Sequence, residues 1–368
     1  MNSVGDLSGR SVDGRLLQFA FTGSNTLKRC TIRPPNGKLK LNRFVFNAAQ
    51  ESVQDTVQLG NSDLQVSRLG LGSLQWGDTQ QGFNSRFNED QLKEVFNTAV
   101  DGGINFFDTA EIYGYQSMKD GSSSEQILGR LAKSKNQRLV LGTKFFTVPW
   151  TNVLIGGGFR LGRQAIIRAL KESLERLGLE KIDLYQVHFP FPAYSQEVLA
   201  EGFAEAVDEG LVSAVGVCNY DVSQLKQFHS LMAARNIPVV SNQVKFNVFE
   251  RKAEKTGLLQ LCRDLNVTVV AHSPLQQGLL TGRSLEGGSD KMKKDEVTVL
   301  KLLQFIGAMS GGKTITQVAL AYLMGKGAIP IPGAKSVEQV RDHIGALQFS
   351  LDENEIAVID ERLDAFKS

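Results

Sequence analysis

Four ionisable side chains stand where apolar, β-prone stretches of this chain end. Asp108 lies near the end of the first stretch, Tyr113 follows on the next loop, and Lys144 and His188 end the second and third stretches. The three stretches span residues 105–109, 139–144 and 183–188. Short apolar runs of this kind predict buried strands. Ionisable groups at successive strand ends predict one shared site at one face of a parallel barrel.

This set of side chains suits proton donation to a carbonyl group. A phenol with the ordinary pKa of about 10 is a weak donor at neutral pH, but a neighbouring ammonium lowers that pKa. Lys144 is the candidate ammonium, and Asp108 is the counter-ion that would keep a buried lysine charged. His188 would either hydrogen-bond the substrate oxygen or share in proton delivery. Because no side chain carries a hydride, a nicotinamide is the natural hydride source.

Each of these residues also has an ordinary interpretation when taken alone. A strand-end aspartate is commonly a cap or turn residue, a loop tyrosine often packs, a single lysine is usually solvated, and a single histidine is usually structural. Their recurrence at equivalent positions of successive strand–helix units favours the shared site. The chain has only four histidines, and none has neighbours at metal-ligand spacing, so the sequence predicts no metal site.

Strand and helix patterns alternate from residue 69 to the C-terminus. The predicted strands span residues 69–76, 105–109, 139–144, 183–188, 213–218, 239–244, 267–272 and 328–331. The predicted helices span residues 90–101, 123–133, 163–177, 196–209, 222–234, 256–265, 295–309, 314–325, 336–345 and 352–366. Eight such units predict an α/β fold, a (β/α)8 TIM barrel with an N-terminal β-hairpin at residues 57–66 and a C-terminal extra helix. The rival doubly wound sheet is disfavoured because no G-x-G-x-x-G follows the first strand.

The overall composition limits the classes of partner and compartment. The 368 residues are 42% hydrophobic and 22% charged, with a net charge of +2. This balance gives no support for a nucleic acid or an anionic membrane as a partner. No apolar run approaches the roughly 20 residues that span a bilayer. The three cysteines are widely spaced, form no metal or redox pair, and predict a reducing compartment.

Residues 1–50 form a separate region by composition. They hold eight Lys or Arg against two acids, a net charge of +6, whereas the rest of the chain carries −4. A basic, acid-poor leader predicts a cleaved organellar transit peptide, and the alternative is an ordinary disordered basic tail. The barrel is therefore predicted to occupy residues 51–368.

Six motifs along the chain resemble the signatures of the aldo-keto reductase family. They are D-T-A-E-I-Y-G at 108–114, G-T-K at 142–144, D-L-Y-Q-V-H at 183–188, V-G-V-C-N-Y at 215–220, S-N-Q-V at 241–244 and I-P-I-P-G-A-K at 329–335. One motif alone would be weak, but six in order and register are specific. The chain is most similar to the plastid branch of the family in plants and algae, oxidoreductases related to pyridoxal reductase. That branch implies a chloroplast or other plastid, with the mitochondrion or cytoplasm as alternatives.

The resemblance implies NADPH-dependent reduction of an aldehyde or ketone to the alcohol. It makes Tyr113 the general acid, Lys144 and Asp108 the pair that lowers the Tyr113 pKa, and His188 the group that orients the carbonyl. The implied NADP(H) site comprises Asn219, Gln243, His272, Ser273, Pro274, Leu275, Gly278, Gly333, Lys335, Gln339, Arg341 and His343.

Each implied cofactor residue has an expected partner on the dinucleotide. Asn219 and Gln243 would hold the nicotinamide carboxamide, and residues 273–278 would cover the pyrophosphate. Gly333 and Lys335 would bind the adenosine ribose, while Gln339 and His343 would lie near the adenine. Lys335 and Arg341 are the cations that a 2′-phosphate needs, which favours NADPH over NADH. The alternative for these two cations is an ordinary basic helix N-terminus, whose dipole would attract an anion in either case.

Three residues depart from the family pattern. Cys218 stands where a serine is usual, His272 where an aromatic ring usually stacks on the nicotinamide, and His343 where an asparagine is frequent. A protonated imidazole would repel the oxidised nicotinamide. If His272 stacks on that ring, NADP+ binding should weaken below about pH 6, where an unperturbed histidine titrates.

A second function stays open beside the enzyme. The β subunits of potassium channels are relatives that keep the fold and the cofactor but serve chiefly as regulatory partners. The chain could likewise be an NADPH-binding, redox-sensing interaction protein with little turnover. The presence of all four catalytic residue types favours a reductase acting on a small-molecule carbonyl, with partner proteins unknown. Candidate walls of an apolar substrate pocket, or else ordinary packing residues, are Trp76, Phe145, Phe146, Trp150 and Phe189.

Overall fold

The structure is a computed structural model. It describes residues 9–10, 16–20, 29–31, 56–150, 159–286 and 292–365. The chain divides into two compact units, Met1–Glu51 and Ser52–Ser368. In the first unit a three-stranded antiparallel sheet is formed by Gly9–Arg10, Leu16–Ala20 and Arg29–Thr31. The rest of this unit lies outside the described residues, and its assignment as a transit peptide or a basic tail stays a prediction.

Eight parallel strands of the second unit form the predicted barrel. We number them β1 to β8, and they are Leu71–Gly72, Phe106–Asp108, Val140–Phe145, Ile182–Val187, Val212–Cys218, Val239–Lys245, Thr268–His272 and Ala328–Pro330. Each strand pairs with the next along the chain. The sheet closes on itself because Gly70 N donates to Pro330 O at 3.0 Å and Gly72 N donates to Pro332 O at 3.1 Å. The predicted TIM barrel is confirmed.

Helices connect the strands and surround them. We number them α1 to α12, and they are Glu89–Asp101, Ser124–Lys133, Arg163–Leu177, Gln196–Asp208, Val222–Ala233, Lys252–Lys255, Leu258–Asp264, Arg283–Glu286, Lys294–Met309, Ile315–Gly325, Val337–Ile344 and Glu353–Asp364. A capping box begins α10, as its sequence predicts, because the side chains of Thr314 and Gln317 each accept from the other's backbone N–H at 3.1 Å. The predicted extra C-terminal helix is α12. None of the described helices is both long and apolar enough to cross a bilayer.

The predicted N-terminal hairpin pairs Thr56–Gln58 with Gln65–Ser67 and plugs one end of the barrel. Its tip is a four-residue loop, because Leu59 N donates to Leu64 O at 2.9 Å. Gly60 N donates to Thr268 Oγ1 at 2.7 Å, at the start of β7. A Cβ on Gly60 would collide with the backbone of Val240, so only glycine fits there. Since the hairpin fills the N-terminal ends of the strands, the site must lie at their C-terminal ends.

Most elements lie close to their predicted limits, and two of the differences have a clear structural cause. The strand predicted at residues 69–76 is only Leu71–Gly72, and Trp76 lies buried in the loop beyond it with Nε1 donating to Ala334 O at 3.3 Å. The helix predicted at residues 256–265 begins at residue 258, because Gly257 takes the left-handed conformation with φ of +78°. Both errors come from tertiary contacts and turns that apolar periodicity does not reveal.

Candidate active site

The C-terminal ends of β2, β3 and β4 bring the four predicted catalytic side chains together. Lys144 Nζ lies 2.5 Å from Asp108 Oδ2, and both side chains are buried. Tyr113, on the loop after β2, places its hydroxyl 3.4 Å from the same ammonium. The Tyr113 and His188 rings meet edge to face, with centroids 5.6 Å apart. The structure therefore brings these four side chains together, as the sequence predicts.

Asp108 has more hydrogen-bond partners than the sequence suggested. Its Oδ1 accepts from Gln186 Nε2 at 3.1 Å and from Gln243 Nε2 at 2.8 Å, while its Oδ2 accepts from Lys144. Lys144 also donates to Thr109 O at 2.8 Å. A buried ion pair is stable when its remaining lone pairs and protons are satisfied, as they are here. Gln186 was missed as a site residue, although it lies within the D-L-Y-Q-V-H motif.

The protonation states around Tyr113 differ from the simple expectation. Burial raises the pKa of Tyr113 to about 12, and this outweighs the opposing effect of the Lys144 charge. The expectation of a lowered phenol pKa is therefore wrong, because desolvation disfavours the phenolate more than the Lys144 charge favours it. Burial alone would lower the pKa of Lys144, but the Asp108 charge raises it, so the amine is an ammonium at neutral pH.

His188 is neutral at physiological pH. Burial, together with the charges of Lys144 and His272, lowers its pKa well below the ordinary value of a histidine. Its Nδ1 is buried without a hydrogen-bond partner among the described residues. The ring also meets Phe146 edge to face at 5.3 Å. A neutral imidazole at this place can donate a hydrogen bond but is not an imidazolium acid.

The ends of β5, β6 and β7 gather the residues predicted to hold the nicotinamide. Asn219 has a φ of +60°, and its Nδ2 donates to His188 O at 3.2 Å. Gln243 Nε2 donates to Asp108 Oδ1 at 2.8 Å, and Gln243 Oε1 accepts from the Cys218 thiol at 3.8 Å. Burial raises the pKa of Cys218 to about 12, so it remains a thiol and a weak donor. One exposed and one buried amide beside the four polar groups suit a ligand carboxamide.

His272 ends β7 with both ring nitrogens engaged. Its Nε2 lies 3.0 Å from Asn219 Oδ1, and its Nδ1 lies 3.2 Å from Ser273 Oγ. Burial, followed by the Lys144 charge, lowers the His272 pKa to about 4. The expectation that this residue titrates near pH 6 is therefore wrong, since desolvation and a neighbouring cation both oppose the imidazolium.

The loop after β7 is the predicted pyrophosphate cover. Pro274 and Leu275 are buried and anchor the loop, while Ser273 and Gly278 are exposed. The backbone is left-handed at four positions, with φ of +52° at 273, +47° at 276, +54° at 277 and +94° at 278. Asn247, which sequence reasoning missed, ties the loop down by donating to Ser273 O at 3.0 Å. Loops of this kind can bind an anion through backbone N–H groups, but those of Gln276 and Gly278 donate within the loop, to Ser273 O at 3.1 Å and Leu275 O at 3.0 Å.

The segment before and within α11 carries the predicted ribose and adenine residues. Lys335 N donates to Gln339 Oε1 at 2.7 Å, while Gly333 and Arg341 are exposed. Lys335 Nζ lies 5.6 Å from the centre of the Phe87 ring. His343 is buried, burial lowers its pKa to about 4, and its Nδ1 lacks a partner among the described residues.

A further cation stands beside Lys335. The two influences that lower the Lys335 pKa are burial and then the positive charge of Arg86. Arg86 lies in the loop between β1 and α1, next to the Phe87 ring that Lys335 covers. Sequence reasoning missed Arg86, because the loop between β1 and α1 carried no motif. Two neighbouring cations at a helix N-terminus are unfavourable unless an anion joins them.

Aromatic side chains line the mouth of the barrel beside His188. Phe146 and Phe189 meet edge to face at 5.1 Å, and Trp150 meets Phe191 at 5.7 Å. Trp76 and Phe145 are completely buried, so these two of the five candidate wall residues belong to the core. Phe191 was not a candidate, yet it links Trp150 to the other rings.

The residues present fit a dinucleotide better than a metal ion. Two amides lie by the four polar groups, an exposed left-handed loop follows them, and a helix N-terminus lies beyond, where the positive charges of Lys335 and Arg86 are close enough to interact. In the described part of the chain, no group of three or more His, Cys, Asp or Glu side chains is arranged to hold a metal.

Comparison with known proteins gives one consistent family. The model of the aldo/keto reductase family matches residues 68–364. The chain is 34% identical over 310 residues to the chloroplastic pyridoxal reductase of Arabidopsis thaliana, covering 79% of this chain and 82% of that one. It is 32% identical over 318 residues to an uncharacterised oxidoreductase of Mycobacterium tuberculosis, covering 82% of this chain and 91% of the relative.

Solved structures agree with these sequence matches. A thermostable aldo-keto reductase crystallised with the inhibitor epalrestat superposes with a TM-score of 0.67 at 29% identity, covering 83% of this chain and 99% of the other. A glycerol dehydrogenase from Gluconobacter oxydans gives a TM-score of 0.71 at 25% identity, covering 84% and 95%. With a closed barrel, four polar groups at its C-terminal end and a family match over most of its length, the chain belongs to the aldo/keto reductase family of oxidoreductases.

Proposed function

We propose that this protein reduces an aldehyde or ketone to the alcohol with NADPH, using Tyr113 as the general acid. One observation carries the proposal: the Tyr113 hydroxyl lies 3.4 Å from a buried ammonium and beside the neutral ring of His188. A carbonyl oxygen placed between the phenol and the imidazole would receive two hydrogen bonds and then a proton.

Lys144 acts on the proton transfer as negative charge develops on the phenol. Tyr113 is neutral at physiological pH, since its pKa lies near 12, so it holds the proton that an alkoxide needs. As that proton leaves, the phenolate forms 3.4 Å from the Lys144 ammonium, which stabilises it. Asp108 fixes the ammonium in place and keeps it charged. The lysine thus favours the transition state more than the ground state, which is how binding energy accelerates a step.

His188 orients the carbonyl in this scheme and does not supply the proton. Its lowered pKa keeps the ring neutral, so it donates one hydrogen bond and retains its proton. Of its two candidate roles, substrate orientation is therefore the one we propose.

NADP(H) is the proposed cofactor, and when bound its nicotinamide would supply the hydride. Asn219 Oδ1 and Gln243 Oε1 are the acceptors available to a carboxamide N–H2 near the four catalytic groups. Lys335 and Arg341, with Arg86 near Lys335, are the cations we assign to the 2′-phosphate. A phosphate held by several cations gains charge-assisted hydrogen bonds that NADH cannot make, so NADPH is preferred.

The proposed substrate class is an aromatic or heteroaromatic aldehyde, and the proposed compartment is a plastid. Phe146 and Phe189 flank His188, so a planar ring could pack there while its aldehyde reaches Tyr113. A similar protein of Arabidopsis thaliana is named as a chloroplastic pyridoxal reductase. Pyridoxal is such an aldehyde, and the basic N-terminal region is compatible with plastid import.

Purified full-length protein should oxidise NADPH in the presence of at least one member of an aldehyde panel that includes pyridoxal. Tyr113→Phe should lower kcat by about a thousandfold or more, because the acid is removed, while the NADPH Kd changes less than about twofold. Wild-type turnover in the variant would remove Tyr113 from the role of acid. NADPH binding without turnover on any aldehyde would instead favour a regulatory NADPH-binding protein.

A further inference from the structure

A buried carboxylate outside the four catalytic groups connects the two segments that carry Tyr113 and Lys144. Glu111 precedes Tyr113 by two residues and is 1% exposed. Its Oε1 accepts from the backbone N–H of Phe146 at 2.6 Å, two residues beyond Lys144. Its own backbone N–H donates to Lys144 O at 3.5 Å. Glu111 thus joins the Tyr113 loop to the end of β3 by both its side chain and its backbone.

The other oxygen of Glu111 is held by a buried arginine. Glu111 Oε2 lies 2.7 Å from Arg160 Nη1, and the Arg160 side chain is 3% exposed. Arg160 also contacts Glu172 Oε2 on α3 at 3.2 Å. Burial raises the pKa of Glu111, while the Arg160 charge and the Phe146 N–H oppose that rise. Arg160 therefore opposes the effect of burial, and the ion pair holds the carboxylate against the Phe146 N–H.

We propose that Glu111, held by Arg160, is a positioning residue that sets the separation of the Tyr113 hydroxyl from the Lys144 ammonium. This inference rests on the proposed function, since it assigns Glu111 a part in proton donation by Tyr113. The contact to Phe146 N also fixes a ring that lies 5.3 Å from His188, so one carboxylate aligns three parts of the site. Glu111 touches no reacting atom and acts only through these neighbours.

The Glu111→Gln variant distinguishes a positioning role of Glu111 from a role in folding stability alone. The amide oxygen can still accept from Phe146 N, but the amide N–H2 then faces the Arg160 guanidinium, and two donors cannot bond each other. We expect kcat to fall by about 10-fold to 100-fold, the loss that a displacement of about 1 Å causes in an active site. The NADPH Kd should stay within about twofold of wild type, because none of the proposed cofactor residues contacts Glu111.

Glu125→Gln is the matched control. Glu125 is also 1% exposed, and its Oε2 is paired with Arg176 Nε at 2.6 Å. Its other oxygen accepts from the Thr143 side chain at 2.5 Å, so it does not connect the two catalytic segments through backbone. Both variants should lower Tm by similar amounts, since each removes a buried carboxylate that is paired with an arginine. Only Glu111→Gln should lower kcat by tenfold or more.

A double variant should restore the kcat that Glu111→Gln loses. In Glu111→Gln with Arg160→Met, the opposing donor is gone, while the introduced amide keeps its acceptor oxygen for Phe146 N. We expect kcat to recover to within about threefold of wild type, a non-additive result that coupled neighbours show. The inference is overturned if Glu111→Gln and Glu125→Gln have equal kcat, or if the double variant is no faster than Glu111→Gln alone. The Tyr113→Phe variant tests the proposed function independently. If Tyr113→Phe is inactive and Glu111→Gln is fully active, the inference about Glu111 is wrong and the proposed function still stands.

Discussion

Two regions at the same end of the barrel, the surroundings of Asp108 and the proposed dinucleotide region, differ in how far their polar groups are buried. Around Asp108, the polar groups are buried and partnered, because Lys144, Gln186 and Gln243 all donate to one carboxylate. In the proposed dinucleotide region, Gly278, Gly333 and Arg341 are exposed, and Lys335 lies beside the like charge of Arg86. The first region is held together by hydrogen bonds among its own buried side chains, and the second presents exposed backbone and cations at the surface.

The difference separates chemistry from cofactor binding. Of the four proposed catalytic groups, Asp108, Lys144 and His188 lie at strand ends and Tyr113 lies on the loop after β2, so rigid elements hold most of their mutual distances. The proposed dinucleotide groups sit on loops and a helix N-terminus, where exposed N–H groups and cations can gain an anion. Substitutions around Asp108 should therefore lower kcat and stability, and substitutions in the proposed dinucleotide region should lower cofactor affinity.

Lys144→Met should have the largest effect. It removes the cation that stabilises the developing phenolate and leaves a buried Asp108 carboxylate without its counter-ion. We expect kcat to fall by about a thousandfold, and the free energy of unfolding to fall by about 3–5 kcal/mol, the usual cost of breaking a buried pair. Thermal melts and steady-state kinetics measure both. Lys181→Met, at an exposed lysine before β4, is the control that should change neither. Retention of wild-type kcat in Lys144→Met would contradict the role given to this lysine.

Lys335→Met should have an intermediate effect confined to cofactor choice. We expect the NADPH Kd to rise by about 10-fold to 100-fold, because a charge-assisted contact to the 2′-phosphate contributes about 1.5–3 kcal/mol. The NADH Kd should change less than about twofold, and kcat at saturating NADPH should hold. Arg86→Met should shift the NADPH Kd in the same direction but by only about threefold, since Arg86 is exposed. Fluorescence titration measures these constants, and equal losses for NADPH and NADH would refute the 2′-phosphate assignment.

The smallest effect concerns pH and His272. The histidine is neutral above its pKa, which lies near 4, so it carries no charge between pH 8 and pH 5. The NADP+ Kd should therefore vary less than about twofold over that range. A control titration of the His272→Phe variant separates any pH effect of other groups. A wild-type affinity that falls near pH 6, with no such fall in His272→Phe, would show that the residue titrates at its ordinary pKa.

Sequence reasoning succeeded where one local pattern determines one element. The helix predicted at residues 163–177 has those limits in the structure, and each of the eight strands lies where apolar runs predicted it. The four candidate catalytic residues lie together because strand ends in a parallel barrel converge, whatever the sequence of the loops. The corresponding cofactor and catalytic roles stay predictions until they are tested.

The residues that were missed depend on contacts between distant segments. Gln186, Asn247 and Glu111 are polar residues in or near strands, and nothing local shows that they bond Asp108, Ser273 and Phe146. The pKa predictions for Tyr113 and His272 were wrong for a related reason. Both pKa values are controlled first by burial, which a sequence motif does not measure.

The central claim is that the four proposed catalytic side chains are in place before the cofactor binds. A crystal structure of the full-length protein with bound NADP+ is its most direct test. The predicted result is that Tyr113 Oη, now 3.4 Å from Lys144 Nζ, moves by less than about 0.5 Å, while the loop at residues 273–278 shifts to meet the pyrophosphate. A Tyr113 hydroxyl that leaves Lys144, or an Asp108–Lys144 pair that forms only with the dinucleotide present, would contradict it.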